Sequence, residues 1–537
     1  MKRRWQLWAP TALALTLVLG IYIGMKMDSG QNAYVFLNSE GQHKKINQLI
    51  EYINRDYVDE IDTDSLLDRT IEDILGQLDP HSTYIHKSEF AAVEESMSGN
   101  FQGIGVEFEL QRDTIVVVSP ISGGPSEQLG IEAGDRIVSV NGEQVAGIGL
   151  QNRDVITKLR GEKGSTVDVQ ILRSGAIELL DFTIERDEIP LVSVDVSYMI
   201  DDSTGYIKLS RFAETSYSEF AVAREELLEK GMKNLVFDLR GNPGGYLHIA
   251  DRIADDFLKD GELIVYTEGR SRERKYYYAT EKGSLEDMEL VVLIDEGSAS
   301  ASEIIAGALQ DNDRAEIVGR RSFGKGLVQE QWKLSDGSAL RLTVARYYTP
   351  TGRCIQRPYG DDRNEYYLDS YEQSERDFID KDSLIINVDT SFYLTPAGDT
   401  VYGGGGILPD LLVGGDSLGR TRWFYEVLSY GDLRKFSFNY ADRNREVLKE
   451  QYSQASEFVQ NFDLPSSVYT DYLKLAEESG ANTQWGKTER AELLVRNRIK
   501  AMIGRQIWGS DAFYPVIHQN DLVIQAAVNP LETKKAP

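Results

Sequence analysis

The spacing of apolar residues changes several times along the chain, and each spacing predicts a different kind of element. From His43 to about Asn100, apolar residues recur every three or four positions, which predicts helices. Between Phe101 and Arg186 they alternate with polar residues, and glycine-rich turns separate the alternating runs. This second segment is therefore predicted to be a small β-rich module.

The pattern after this module predicts a mixed α/β domain followed by a helical tail. From Val192 to about Gly415, short apolar runs such as Leu290–Ile294 alternate with helical stretches. Beyond Asp416 the sequence is again helical and rich in charge. We therefore predict five regions: an N-terminal hydrophobic segment (1–28), a helical region (29–99), the β-rich module (100–188), the α/β domain (189–415) and a helical C-terminal region (416–537).

The first residues predict export from the cytoplasm. A basic start, Lys2 to Arg4, precedes an uncharged and mostly apolar run over residues 5–25. At about 1.5 Å per residue this run can cross a ~30 Å hydrocarbon core, with the basic residues on the cytoplasmic side. We expect an anchor in the inner membrane of a bacterial cell envelope, with the rest of the chain on the periplasmic side. A cleaved signal peptide is the alternative, although the run ends without a clean Ala-x-Ala site.

Charge and composition exclude several classes of partner and of chemical site. Lys and Arg number 58 against 86 Asp and Glu, so the net charge is −28, which argues against a nucleic-acid partner. Cys354 is the single cysteine, which excludes an intrachain disulfide and a cysteine-based zinc cluster. The five histidines are scattered and form no HExxH motif. We expect neither a metal nor a cofactor, and we expect Cys354 to be an inert thiol.

The β-rich module begins with a candidate peptide-binding loop, formed by Gly103, Ile104, Gly105 and Val106. Its two glycines let successive N–H groups converge on an anion such as a terminal carboxylate. A tight strand entry without a ligand is the alternative interpretation. The motifs that follow, over residues 120–164, resemble those of a PDZ domain in their order, and PDZ domains bind extended peptides and free C-termini.

The α/β domain carries a candidate nucleophile. The apolar run ending at Ile294 is followed by Gly297-Ser-Ala-Ser-Ala-Ser-Glu303 and then by a helical stretch. A strand, a turn of small residues and a helix can present a serine hydroxyl at a helix N-terminus, where free N–H groups stabilise an oxyanion. Ser300 is the candidate, and a helix-capping box with Glu303 is the competing interpretation.

Lysine is the predicted base for this serine. Lys325 is flanked by glycines and follows a strand-like run, and a desolvated lysine can accept a proton. Residues 327–334 alternate as a strand, on which Gln329 shares a face with Lys325 and is expected to orient it. His248 belongs to no recognisable partner motif and is expected to be a buried structural residue.

A nucleotide-binding loop is a competing interpretation of the same segment. Residues 319–325 match the start of a phosphate-binding loop, but Gly326 stands where a Ser or Thr would hold Mg²⁺. The segment that follows is predicted to be a strand, whereas such a loop must lead into a helix. We therefore reject nucleotide hydrolysis.

Several further motifs occur in one order along the chain. They are Leu78-Asp-Pro-His-Ser82, the PDZ-like block, Asp238-Leu-Arg-Gly-Asn-Pro-Gly-Gly245, Gly297–Glu303, Ser322–Gln329, Tyr348-Thr-Pro-Thr-Gly352 and Tyr402–Asp410. This set resembles the carboxyl-terminal processing peptidases, or tail-specific proteases, over roughly residues 43–412. The resemblance implies an α/β serine protease core related to the crotonase and Clp protease folds, with an inserted PDZ domain. It also implies Ser300 as nucleophile, Lys325 as general base and Gln329 as its partner.

Three further expectations concern the surroundings of the site. The oxyanion hole is predicted to use the N–H of Ala301, next after the nucleophile, and that of Gly244 in the glycine-rich turn. Asp311, a triad member proposed in some relatives, lies about 16 Å from Ser300 along an unbroken helix, so we predict a structural role. Residues 357–386 depart from the family pattern and are expected to be a surface insertion.

The hypothesis is a serine endopeptidase of the cell envelope that captures protein C-termini through its PDZ domain and cleaves them through an acyl-enzyme. Its expected partners are proteins or peptides with free C-termini and the membrane. Because the terminal regions are helical, a homo-oligomer is expected. If the PDZ domain gates the active site, an adaptor or activator protein could act through it. The alternative is a non-catalytic PDZ scaffold on a protease-like core, although such a scaffold would be free to lose Ser300, Lys325 and Gln329.

Overall fold

The structure, a computed structural model, describes residues 40–121, 123–173, 175–360, 362–363, 365–368, 389–483 and 485–533. The chain divides into two compact units after Gln77. Across the described residues, no helix has both the length and the apolar character needed to cross a membrane. The predicted anchor at residues 5–25 lies outside them.

The described part of the first unit, residues 40–77, contains the helices α1 (Glu40–Asp56) and α2 (Thr63–Gly76). Asp62 caps α2, because its carboxylate accepts hydrogen bonds from the N–H groups of Asp64 and Ser65. The helical spacing of apolar residues in this part of the sequence therefore corresponds to real helices.

The second unit, from Leu78 onward, contains the other elements that the described residues form. Its strands in the first half are β1 (Thr83–Ile85), β2 (Asn100–Gly103), β3 (Val106–Gln111), β4 (Thr114–Pro120), β5 (Arg136–Val140), β6 (Glu143–Gln144), β7 (Thr166–Leu172), β8 (Leu180–Glu185), β9 (Asp187–Pro190), β10 (Val194–Met199), β11 (Thr204–Leu209) and β12 (Asn234–Asp238). They are followed by β13 (Leu263–Gly269), β14 (Arg272–Tyr278), β15 (Glu289–Ile294), β16 (Glu316–Gly319), β17 (Leu327–Lys333), β18 (Ala339–Tyr348), β19 (Asp389–Leu394), β20 (Thr400–Gly403) and β21 (Leu411–Leu412).

The helices of this unit fall into two groups. Those of the first group lie between strands: α3 (Lys87–Ser98), α4 (Pro125–Gln128), α5 (Asn152–Leu159), α6 (Ser216–Glu229), α7 (Leu247–Asp255) and α8 (Ala301–Asp311). Those of the second form the C-terminal region: α9 (Arg422–Tyr430), α10 (Leu433–Gln451), α11 (Ala455–Asn461), α12 (Ser466–Glu478), α13 (Glu489–Trp508), α14 (Ser510–His518) and α15 (Leu522–Thr533).

A six-stranded sheet forms the centre of the unit, with its strands in the order β10-β11-β12-β15-β16-β21. Every neighbouring pair is parallel except β10 with β11. The apolar side chains of β12 and β15 are buried on both faces, as central parallel strands require. Residues of α6, α7 and α8 pack on one face, and residues of α15 pack on the other. The carboxyl ends of β12 and β15 therefore place two loops side by side.

A second sheet and the β-rich module complete the fold. In the second sheet, β18 pairs with β17 along one edge and with β1 and β13 along the other, and β14 follows β13. The module is an antiparallel sheet in the order β3-β4-β5-β7-β8, with β6 beside β5. It is joined to the rest of the unit by the antiparallel ribbon of β2 and β9. The predicted fold class, an α/β core with an inserted β-rich module and helical terminal regions, is confirmed.

Candidate active site

Ser300 stands at the start of α8, directly after the turn that leaves β15. Its φ of 55° and ψ of −111° place a non-glycine residue in a rarely occupied region of backbone space. Ser298 and Ser302 on either side are buried, and their hydroxyls donate to the carbonyls of Leu239 (2.8 Å) and Asn242 (2.9 Å). These bonds fix the turn against the loop after β12, so that Ser300 is the serine of the three that lines the adjacent cleft.

Glu303 connects two segments of the site. One is the turn that leaves β15 and carries Ser300, the predicted nucleophile (the nucleophile turn), and the other is the loop that carries Lys325. Its buried carboxylate accepts hydrogen bonds from the N–H groups of Ser300 (2.8 Å), Gly324 (2.6 Å) and Lys325 (2.8 Å), and from the Ser322 hydroxyl. Burial raises the pKa of Glu303 to about 7, and the four accepted hydrogen bonds act in the opposite direction. The competing capping-box interpretation had named Glu303, but the contacts of Glu303 with the loop that carries Lys325 were not predicted.

Lys325 is held by a short chain of polar groups. Its Nζ donates to Oε1 of Gln329 (2.9 Å), and Nε2 of Gln329 donates to the carbonyl oxygen of His81 (2.6 Å). The two side chains that the strand spacing placed on one face are therefore in contact. Burial lowers the pKa of Lys325 to about 8, Arg341 lowers it further, and Glu303 and Asp79 act in the opposite direction.

One cleft of about 1260 Å³ brings the three predicted catalytic side chains together, because Ser300, Lys325 and Gln329 all line it. Residues of α3, β2 and β17 form other parts of its wall. The buried hydroxyl of Tyr347 lies 2.6 Å from the carbonyl oxygen of Lys325 and 3.2 Å from that of Ser300. Tyr347 therefore links the main chains of Ser300 and Lys325 a second time.

Gly244 packs directly against the nucleophile turn. A Cβ added there would lie 2.8 Å from Cβ of Ser300 and 2.9 Å from the nitrogen of Ala301, so only glycine fits. The N–H of Gly244 donates to Oδ1 of Asn242 (2.9 Å), and in this conformation it is not available as an oxyanion donor, contrary to the prediction. The N–H of Ala301, by contrast, has no acceptor among the described residues.

The predicted peptide-binding loop links β2 to β3. The carbonyl of Ile104 accepts from the N–H (3.2 Å) and the hydroxyl (2.6 Å) of Ser126, and that of Gly105 accepts from the N–H of Ile121 (2.9 Å). Gly105 has a φ of 72°, which explains the glycine. These two carbonyls are therefore occupied by contacts within the module. By contrast, no described residue accepts a hydrogen bond from the N–H groups of Ile104 or Gly105, so these N–H groups are available to a peptide. Gly103 and Val106 end β2 and begin β3.

Three other residues considered in the sequence analysis, Asp311, His248 and Cys354, lie in different surroundings. Asp311 ends the unbroken α8 and pairs with Arg353 (2.6 Å), with both side chains fully buried, so its predicted structural role agrees with its contacts. His248 was predicted to be buried, but its side chain is 53% exposed and lies 3.2 Å from Glu214. Burial raises the pKa of the Cys354 thiol, which disfavours the reactive thiolate. Within the described ranges, no group of three or more His, Cys, Asp or Glu could hold a metal ion.

The segment 357–386 was expected to be a surface insertion; most of its described residues are exposed or half-buried, but two of its side chains are buried. Arg357 and Tyr366 are buried, at 6% and 5% exposure. The guanidinium of Arg357 lies between two rings, 4.2 Å from the centroid of Phe323 and 3.8 Å from that of Tyr366. The described start of the segment therefore packs on the loop that carries Lys325, whereas residues 369–388 lie outside the described part.

Three family models match the chain. Residues 203–361 match peptidase family S41, residues 102–184 match the PDZ domain, and residues 423–509 match a family of unknown function (DUF8443). The peptidase match contains Ser300, Lys325 and Gln329, and the PDZ match contains the loop of residues 103–106.

The chain is also similar to curated and solved proteins. It is 37% identical over 350 residues to the carboxy-terminal processing protease CtpB of Bacillus subtilis (strain 168), an alignment that covers 63% of this chain and 72% of the relative. It is 37% identical over 347 residues to a carboxy-terminal-processing protease of Bartonella bacilliformis, covering 63% and 79%. A solved photosystem II D1 C-terminal processing protease is 27% identical, covers 71% of this chain and 89% of its own, and gives a TM-score of 0.37.

The contacts of Glu303 predict that an amide cannot replace its carboxylate. Each carboxylate oxygen accepts two hydrogen bonds, so in Glu303→Gln two donors face an NH₂ group in either orientation. Each buried donor left without an acceptor costs about 1–3 kcal/mol. We expect a lower midpoint of thermal unfolding and a loss of peptide hydrolysis of at least ~10-fold, measured on the purified protein. Glu229→Gln, at an exposed position at the end of α6, is the matched control, and equal behaviour of the two variants would contradict the connecting role.

Proposed function

Because the chain belongs to the carboxy-terminal processing proteases of peptidase family S41 and carries a PDZ domain, we propose that it is a serine endopeptidase with Ser300 as nucleophile and Lys325 as base. The observation that carries this proposal is the contact of Lys325 with Gln329 in the cleft that Ser300 also lines. A lysine whose pKa is lowered to about 8 supplies a free amine at mildly alkaline pH.

In the proposed mechanism, the free amine of Lys325 takes the proton of the Ser300 hydroxyl as Oγ attacks the carbonyl carbon of the scissile peptide bond. Gln329 accepts a hydrogen bond from Nζ, so that the nitrogen lone pair is left for the serine proton. The resulting ammonium then protonates the leaving amine, and the C–N bond breaks to give an acyl-enzyme. Lys325 next takes a proton from water as that water attacks the ester. The ammonium then returns a proton to Oγ of Ser300 as the ester C–O bond breaks, which releases the new carboxyl terminus and restores the free enzyme.

The oxyanion of the tetrahedral intermediate needs two N–H donors. We propose the N–H of Ala301 as one and that of Gly245, in place of Gly244, as the other. Phe212 donates to the carbonyl of Gly244 (3.1 Å) and accepts from the N–H of Tyr246 (2.8 Å), as in a parallel bridge with Gly245. In such a bridge the N–H of the central residue points away from the partner, and Gly245 is exposed beside the nucleophile turn.

The PDZ domain is proposed to select the substrate. Its loop of residues 103–106 offers N–H groups to a terminal carboxylate, and β2, which leads into this loop, also contributes to the wall of the catalytic cleft. A protein whose free C-terminus binds the loop would therefore present its tail close to Ser300. The proposed substrates are accordingly proteins and peptides with accessible C-termini.

The proposed location is the periplasmic side of the cell envelope, held by residues 5–25 as a membrane anchor. If so, the full chain should remain in the membrane fraction after an alkaline carbonate wash, and external protease should digest it in spheroplasts. Sequencing the N-terminus of the isolated protein separates an anchor from a cleaved signal peptide. Recovery of the chain in the cytoplasmic fraction would contradict export.

Removing either half of the proposed catalytic pair should abolish cleavage. We expect Ser300→Ala and Lys325→Ala to lower kcat for a peptide with a free C-terminus by at least ~10³-fold, because each removes a group that reacts. Binding of the same peptide, measured by fluorescence anisotropy, should persist. Ser466→Ala and Lys282→Ala, both at exposed positions, are the controls. Full activity of the Ser300 or Lys325 variant would contradict the assignment of the catalytic pair, whereas an unmodified protein that binds the peptide without cleaving it would support the scaffold alternative.

The pH profile should report the lowered pKa of the base. Only the free amine of Lys325 accepts a proton, so kcat/KM should rise with pH through an apparent pKa of about 8. Arg341 lowers the pKa of Lys325, so Arg341→Gln should move this limb to higher pH. Arg346→Gln, on the same strand but exposed, should leave the limb in place. A limb that stays fixed in Arg341→Gln would show that Lys325 is not the titrating group.

A further inference from the structure

We propose that Arg363, Tyr366 and Tyr367 form a positioning element for the base. They hold the main chain of residues 80–82, and through the carbonyl of His81 they fix Gln329 and hence Lys325. The proposal rests on the proposed function, because it assigns these residues a part in the Ser–Lys chemistry. The proposal assigns a positioning role to residues near the start of the segment 357–386.

The first step concerns the orientation of the Gln329 amide. The carbonyl oxygen of His81 can only accept a hydrogen bond, so the amide nitrogen of Gln329 must face it, at 2.6 Å. The amide oxygen then necessarily faces Nζ of Lys325, at 2.9 Å. If the amide turned over, its NH₂ group would point at the lysine and compete for the lone pair that takes the serine proton. The position of the His81 carbonyl therefore determines the hydrogen bonding of the base.

The second step concerns what holds that carbonyl. Nη2 of Arg363 donates to the carbonyl oxygens of Pro80 (3.0 Å) and Ser82 (2.6 Å), the two that flank His81. The hydroxyl of Tyr367 donates to the same oxygen of Pro80 (3.3 Å). One guanidinium thus bridges the peptide groups on both sides of the one that binds Gln329. Charge-assisted bonds of this kind are the stronger hydrogen bonds in proteins.

The side chain of His81 is held by the same segment. Its Nε2 lies 3.1 Å from the hydroxyl of Tyr366, and the two rings meet edge to face with centroids 5.4 Å apart. Burial lowers the pKa of His81 to about 3, and Lys325 adds to this effect, so the ring is neutral in the working range of pH. The stacking of Arg357 between Tyr366 and Phe323 links the segment to the loop of Lys325 as well.

The N–H groups of the Pro80–Ser82 turn, on the side opposite to its carbonyls, are bound by Asp79. Asp79 accepts from the N–H groups of His81 (2.9 Å) and Ser82 (2.9 Å), and from the hydroxyl of Thr343 (3.1 Å). These contacts leave the carbonyls of residues 80 and 82 to Arg363 and Tyr367. Without the segment, the peptide groups around His81 would lose their donors and could rotate, although Asp79 would still hold the turn. None of the described residues 362–368 lines the catalytic cleft, so an effect on substrate binding is not expected.

The test is a double-mutant cycle on the full chain with a fluorogenic peptide that has a free C-terminus. Arg363→Ala should lower kcat about 10-fold or more and change KM by less than about twofold, since the base is misplaced and the substrate contacts remain. In a Gln329→Ala background, the same substitution should cause no further loss, because both act through one contact. Tyr366→Phe should give a smaller loss in the same pattern. Arg270→Ala, in the exposed turn between β13 and β14, is the matched control and should match the unmodified enzyme.

Several outcomes overturn the proposal. One is an equal loss from Arg363→Ala with and without Gln329, which would mean that the arginine acts by another route. Another is an Arg363→Ala enzyme as active as Arg270→Ala. If Arg363→Ala does not fold, Tyr366→Phe is judged by the same two criteria, because it removes a single oxygen. Inactive Ser300→Ala with fully active Arg363→Ala and Tyr366→Phe overturns this inference alone, whereas active Ser300→Ala overturns the proposed function.

Discussion

The carboxylate of Glu303 accepts main-chain hydrogen bonds from both members of the proposed catalytic pair, and the geometry of the site depends on it. Ser300 belongs to the turn after β15 and Lys325 to the loop after β16, so no local sequence contact keeps them in register. Glu303 binds the N–H groups of both, and Tyr347 lies against both of their carbonyls. Burying a carboxylate is costly, and four donors offset that cost. The strained backbone of Ser300 can persist because its surroundings determine it from two directions.

The same arrangement explains how the pKa of Lys325 is lowered although carboxylates lie nearby. Glu303 and Asp79 both act to raise the pKa of Lys325, yet burial and Arg341 outweigh them. Each of these carboxylates accepts hydrogen bonds from main-chain N–H groups, and the nearest acceptor of the lysine is instead the neutral amide of Gln329. An amide stabilises an ammonium less than a carboxylate would, so the free amine is reached at a lower pH. The acids of the site hold the loops in place through main-chain hydrogen bonds, and the hydrogen bond that Nζ of Lys325 makes within the described part of the chain goes to a neutral amide.

The parts of this site that follow from short-range pattern could be predicted, and the parts that depend on long-range packing could not. Strand, small-residue turn and helix identify Ser300, and the period of a strand puts Gln329 beside Lys325. The occupied N–H of Gly244 follows from a local turn in which Asn242 bonds two residues ahead, and the residues Asn-Pro-Gly favour such a turn. The contacts of Arg357 and Tyr366 join segments distant in sequence. An acidic, tyrosine-rich composition only suggests exposure, and it says nothing about a tertiary partner.

The C-terminal helices support the same site from the other face of the sheet. Arg240 directly precedes the glycine-rich loop, and its guanidinium binds Asp238 (2.7 Å) at the end of β12 and Asp521 (2.8 Å) just before α15. Although burial acts to raise it, Arg240 and Lys208 hold the pKa of Asp238 well below its usual value, so the cluster stays ionised. Apolar residues of α15 cover β12 and β15 beneath these charges. Because β12 and β15 lead into the two loops that form the nucleophile turn and its glycine neighbour, the helical region fixes the starting points of both. The end of this region, from Asp521 through α15, is therefore a structural part of the α/β core.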